Sequence, residues 1–111
     1  MHRSIVPCFI LLLFLLNACT QEQTASINQQ KQIPMEETKV LYENFCAACH
    51  GKLARGGVGP DLTVSRFKYG KNRADITKSI MNGRSGGMPA FSSHLNSYEA
   101  EALADYLLLL K

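Results

Sequence analysis

The chain has 111 residues, 46% of them hydrophobic and 19% charged, with 12 basic against 9 acidic side chains and a formal charge of +3. That length allows one domain at most. So small a positive excess, without an aromatic–basic stripe or a nucleic-acid motif, excludes nucleic acid as the expected partner.

Met1-His2-Arg3 is a short basic start, followed by a nearly unbroken apolar run from Ile5 to Leu16 that only Pro7 and Cys8 interrupt. A spanning helix needs about 20 apolar residues, so the run reads as an export signal. It ends in Leu16-Asn17-Ala18-Cys19, which looks like the lipobox of a bacterial lipoprotein. Residues 1–18 are then expected to be removed and Cys19 to be lipidated; the alternative is an ordinary secretory signal with an incidental cysteine. Cleavage there leaves 93 residues, 11 of them basic and 9 acidic. Residues 19–34 carry five glutamines and little to bury, and read as a lipidated N-terminus and flexible tether of roughly 20 Å r.m.s. reach.

The folded domain is expected over residues 35–111, beginning with a helix at Met35. Glu36 and Glu37 suit a first turn, and Val40, Leu41, Phe45 and Ala48 fall close to helical spacing. The helix runs into Cys46-Ala47-Ala48-Cys49-His50, the most informative stretch of the chain. C-x-x-C-H lets two thiols add across the vinyl groups of a haem while the following histidine turns its imidazole to the iron. A thioredoxin-like redox pair would want a βαβ context, and a zinc site would want a second ligand pair. The only other cysteines are Cys8 and Cys19, and the only other histidines are His2 and His94. With Cys8 in the signal, Cys19 lipidated and Cys46 and Cys49 in thioethers, no cysteine is left for a disulfide.

Gly51 suits the end of this first helix, and Gly56-Gly57-Val58-Gly59-Pro60 is a loop. Residues 66–70 should be irregular. A second helix is expected from Asp75 to Asn82, with Ile76 and Ile80 on one face and Gly83 as its stop. Another loop follows at Ser85-Gly86-Gly87-Met88-Pro89. Asn96 with Glu99 forms a capping-box pattern for a last helix that carries apolar Ala100, Leu103, Ala104, Leu107 and Leu108 toward Lys111. An electron-shuttling haem needs a second axial ligand, and a soft thioether favours ferrous iron. Met35, Met81, Met88 and, less plausibly, His94 are the candidates. Met81 sits among isoleucines as core packing would, whereas Met88 lies in a glycine-rich loop closed by Pro89.

Cys46-x-x-Cys49-His50, Gly59-Pro60-Asp61-Leu62 and Asn82-Gly83 followed by Gly87-Met88-Pro89-Ala90-Phe91 occur in the order and spacing of a known family. By these motifs and the closing helix, the chain resembles class I (monohaem) cytochromes c of the small bacterial lipoprotein type, over about Met35 to Lys111. The resemblance implies an all-α cytochrome c fold, three or more helices and loops around one covalently bound haem c. It implies Met88 as the iron's second ligand opposite His50. It also implies that the carbonyl of Pro60 accepts the proton of the other nitrogen of His50, which would orient the ring. The first and last helices of the family cross beside an aromatic, at positions matching Tyr42, Leu103 and Tyr106. The glycine common eight residues before the first cysteine is Thr38 here, so the crossing is expected to be shifted or slightly wider.

The expected function is one-electron transfer between donor and acceptor redox proteins of a respiratory chain. The chain would be exported and lipid-anchored, facing the periplasm or the extracytoplasmic side, with no small-molecule substrate and no catalytic residue of its own. Two other readings stand beside it: a haem sensor or enzyme reacting with a gas or peroxide, and a fixed haem subunit of a larger respiratory complex. The basic residues between Arg66 and Arg84 form either a solvated face or a rim that pairs with haem propionates and steers an acidic partner. A mature domain this small is marginal on its own apolar core, so the apoprotein is expected to be largely unfolded.

Overall fold

The first helix, α1, spans Met35–Phe45 and begins after Pro34, whose φ of −58° already suits a helical start. Glu36 and Glu37 lie in its first turn, where the unpaired N–H groups favour negative charge. Its inward stripe runs through Thr38, Leu41, Tyr42 and Phe45, while Val40 is 55% exposed and Ala48 points outward. That differs from the apolar spacing read in the sequence. The reason is Thr38: its hydroxyl donates to the Pro34 carbonyl at 3.0 Å, so a residue that scores as polar is buried at little cost.

These features come from a computed structural model that describes residues 32–111. The expected signal 1–18, Cys19 and most of the tether 19–34 lie outside the described residues. Helix α1 breaks at Cys46 (φ −116°, ψ −39°), and a single turn, α2, continues over Ala47–His50. The break is small, because the Cys46 N–H still reaches the Tyr42 carbonyl (2.8 Å) and the His50 N–H the Cys46 carbonyl (2.9 Å).

Helix α3 spans Arg73–Asn82, two residues earlier than the sequence pattern suggests. The cap is Asn72, whose side-chain oxygen accepts the Asp75 N–H at 3.0 Å and whose amide donates to the Asp75 carboxylate at 2.6 Å. Gly83, at φ 69°, stops the helix as expected. Helix α4 spans Ser97–Leu109 behind a reciprocal capping box: the Asn96 N–H donates to Glu99 (2.8 Å) and the Glu99 N–H to Asn96 (3.0 Å). It ends at Leu109, two residues short of Lys111.

Helix α4 packs against both α3 and α1. Its buried face is Ala100, Leu103, Ala104 and Leu107, met by Ile76 and Ile80 from α3 and Tyr42 from α1. Where α1 and α4 meet, the Tyr42 and Tyr106 rings lie edge to face with centroids 5.5 Å apart. Thr38 is 2% exposed, so the position where the family prefers glycine takes a larger side chain inside. Arg73 ties α3 to α4 from outside through Glu101 and Asp105, each at 3.1 Å. Among the described residues there are four helices and no strand, only an isolated bridge between Arg84 and Met88. The fold is all-α, and none of the described helices is long and apolar enough to cross a membrane.

Candidate haem site

Cys46 caps the single turn α2 and Cys49 lies within it, Cys46 half-buried and Cys49 exposed, and neither is in a disulfide. Burial, and secondarily the neighbouring Cys49, pushes the Cys46 thiol up to about 11. A nucleophilic redox cysteine needs a depressed value, which Cys46 lacks. Nor do three or more His, Cys, Asp or Glu side chains converge as a metal cluster among the described residues. What remains suits thiols that are consumed in covalent attachment.

His50 closes α2 and is buried, with Nδ1 2.8 Å from the Pro60 carbonyl oxygen. A carbonyl can only accept, so the proton resides on Nδ1 and the lone pair on Nε2. That is the tautomer required for a metal bond through Nε2, with the other nitrogen supported by a backbone oxygen. The loop between His50 and Pro60 is held to the motif by its own backbone: Gly56 donates to the His50 carbonyl (2.9 Å) and Gly59 to the Cys49 carbonyl (2.8 Å). A Cβ on Gly59 would stand 2.9 Å from Cε1 and 3.0 Å from Nδ1 of His50, so only glycine lets the loop pass against the ring. Beyond Pro60, the Asp61 carboxylate accepts both the N–H and the hydroxyl of Thr63 (2.6 and 2.7 Å). Those bonds hold Asp61 below the usual carboxylate range and pin the exit of the turn.

Tyr42 supports the motif from beneath. It is 1% exposed, its hydroxyl donates to the Gly51 carbonyl at 2.8 Å, and burial raises it to about 12. Ala54 is also buried and adopts φ 58°, a left-handed conformation disfavoured for alanine. Its N–H reaches Gly51 (3.0 Å) and its carbonyl accepts from Leu62 (2.7 Å), which holds it there. The contribution of Ala54 has no sequence motif, since alanine gives no hint of a positive φ.

The four methionine and histidine candidates occupy different settings. Met35 is 42% exposed in the first turn of α1, and Met81 packs on the core from α3. His94 is exposed, with Nδ1 2.9 Å from the Ser93 hydroxyl. Met88 is half-buried at the end of the Arg84–Met88 turn, against the same core cluster as Cys46 and Ala47. Gly83 makes room for it: a Cβ there would lie 2.5 Å from the Met88 carbonyl oxygen and 2.7 Å from the Ala90 nitrogen. Phe91 then returns to α3 through its N–H on the Ile80 carbonyl (3.0 Å).

Leu62, Phe67, Met88 and Phe91 pack on the core while keeping part of their apolar surface uncovered. Such a half-covered apolar layer, beside two thiols and a correctly tautomeric histidine, fits a porphyrin. The residues fit the group.

The family described as "Cytochrome C oxidase, cbb3-type, subunit III" matches residues 34–107. The chain is 37% identical over 79 residues to the cbb3-type cytochrome c oxidase subunit CcoP of Azospirillum brasilense, covering 65% of this chain and 27% of that protein. It is 42% identical over 72 residues to the subunit FixP of Bradyrhizobium sp. (strain ORS 278), covering 62% and 24%. The chain thus spans about a quarter of the length of these curated relatives. Among solved structures, cytochrome cL from Hyphomicrobium denitrificans is similar at a TM-score of 0.60 and 28% identity, over 66% of this chain and 45% of that one. Cytochrome cL from Methylophaga aminisulfidivorans MPT gives 0.61 at 24% identity, over 66% and 52%, and shows the shared fold. Membership of this family implies covalently bound haem c. The chain belongs to the cbb3-type cytochrome c oxidase subunit III family, and its folded part is a class I cytochrome c domain.

Proposed function

We propose that the chain is a membrane-tethered one-electron carrier with a single haem c, held by Cys46 and Cys49 and ligated by His50 and Met88. When bound, haem c supplies the ferric–ferrous couple. The chain's own residues do the rest. Cys46 and Cys49 anchor, Pro60 keeps the Nδ1 proton of His50 in place, and Met88-Pro89 closes the opposite side against small ligands. The observation that carries the reading is the 2.8 Å contact from Nδ1 of His50 to Pro60, which orients the ring and leaves the Nε2 lone pair for the iron. Chemistry on a substrate is left to partner proteins, a donor and an acceptor in a respiratory chain. Residues 1–18 serve export, Cys19 carries the lipid, residues 19–34 are the tether, and the domain from 35 to 111 faces the extracytoplasmic side.

Visible spectra of the oxidised and reduced protein, with and without carbon monoxide, test this. Wild type should bind no carbon monoxide, and Met88→Ala should bind it while losing a weak far-red charge-transfer band. Ready binding by wild type would overturn the carrier in favour of a gas-reactive haem. Cys19→Ser should move the haem protein from the membrane pellet to the soluble fraction; retention in the pellet would refute the anchor.

Similarity to CcoP and FixP favours a second reading, a haem subunit fixed in an oxidase complex. Gentle detergent extraction separates the two. A free carrier elutes alone, and a fixed subunit elutes with a terminal oxidase.

A further inference from the structure

Arg84 follows the glycine that ends α3 and opens the turn that carries Met88. Its N–H donates to the Met88 carbonyl at 2.9 Å, and its carbonyl accepts from Gly87 at 3.2 Å. Its side chain is half-buried and takes no carboxylate. Nε and Nη2 both donate to the Ser79 hydroxyl oxygen (3.0 and 2.7 Å), and the guanidinium carbon lies 4.2 Å from the centre of the Tyr69 ring. Ser79 uses its own proton on the Asp75 carbonyl (2.8 Å), which leaves its lone pairs for Arg84. One side chain thereby joins the body of α3, the segment ahead of it and the Met88 turn. Arg73, by contrast, meets two carboxylates on α4.

The turn needs such a hold. Gly86 and Gly87 have nothing within 4 Å of where a Cβ would stand, so its tip packs on nothing. Its geometry is decided at its ends: by Pro89 and Phe91 after Met88, and by Arg84 before it. We propose that Arg84 is a positioning residue for Met88, its guanidinium clamped by Tyr69 and Ser79 so that the turn presents the thioether and resists displacement by an external ligand. The proposal rests on Met88 being the iron's sixth ligand. Affinity for a competing ligand scales with the fraction of molecules in which the turn is open. Loss of one stacked cation and its hydrogen bonds should raise that fraction about tenfold.

The test is an imidazole titration of the ferric holoprotein, followed in the visible spectrum. Arg84→Ala and Tyr69→Ala should each bind imidazole about tenfold more tightly than wild type. Tyr69→Phe should match wild type, because only the ring face is used. Arg84→Lys should fall between, keeping the charge without the two-pronged donor. In a Met88→Ala background the Arg84→Ala change should have no effect. Wild-type affinity in both Arg84→Ala and Tyr69→Ala overturns the proposal, and so does a gain that persists without Met88. Wild type binding imidazole as tightly as Met88→Ala would overturn the ligand assignment itself, and the clamp with it.

Discussion

At His50 the direction of one proton determines what the residue can do. Nδ1 donates to Pro60, so the ring is both oriented and made a stronger donor through Nε2. The fit depends on the bare backbone of Gly59. Gly59→Ala places a methyl 2.9 Å from a ring that its bond to Pro60 holds still, so the imidazole must rotate or the loop must move. Overpacking of this kind costs about 1–3 kcal/mol. The expected outcome is a lower denaturant midpoint together with a perturbed ferric spectrum, since the thioethers keep the haem attached while its ligand is misaligned. A wild-type spectrum would show that the ring position is set elsewhere.

Among the elements, α4 carries most of the packing, and its start is fixed by the reciprocal Asn96–Glu99 bonds. Asn96→Ala leaves the Glu99 N–H without its side-chain acceptor and should cost about 1 kcal/mol. In a domain of this size that corresponds to a fall in thermal midpoint of about 4–8 °C, measurable by circular dichroism. This cap, like Gly83 at the end of α3, is legible in the sequence because its logic is contained within four residues. The start of α3 is less so: Asn72 caps through contacts that a search for the first apolar turn passes over. Thr38 is misjudged by any hydropathy pattern, because its burial depends on a hydroxyl folded back on its own helix. The proximal side of the site is readable from C-x-x-C-H, yet choosing Met88 over Met35, Met81 and His94 needed the family resemblance. Arg84 and Tyr69 lie on either side of α3 in the sequence, with no period or motif to connect them.

At the scale of the molecule, the buried apolar set among the described residues is nine, three of them alanines, and a larger half-covered layer surrounds it. Such a core is thin for a domain of this length, and haem would cover much of that outer layer. Cys46→Ser/Cys49→Ser should therefore lose most of its helix by far-ultraviolet circular dichroism. Native helix content in that variant would mean the polypeptide core suffices alone. The exposed Arg73 bridge between α3 and α4 cannot replace the haem, since half-exposed ion pairs contribute at most about 1 kcal/mol and are screened by salt.

The contact from His50 to Pro60 spans ten residues, and the loop it closes carries its own backbone bonds. Met88 stands thirty-eight residues from His50, with α3 in between. Closing the longer loop costs roughly 1 kcal/mol more in chain entropy, before any packing is counted. The two sides of the site thus differ in range: the histidine's support is a local turn, while the methionine's position depends on the long-range assembly of the helices. Any general loosening of the chain reaches Met88 before it reaches Pro60.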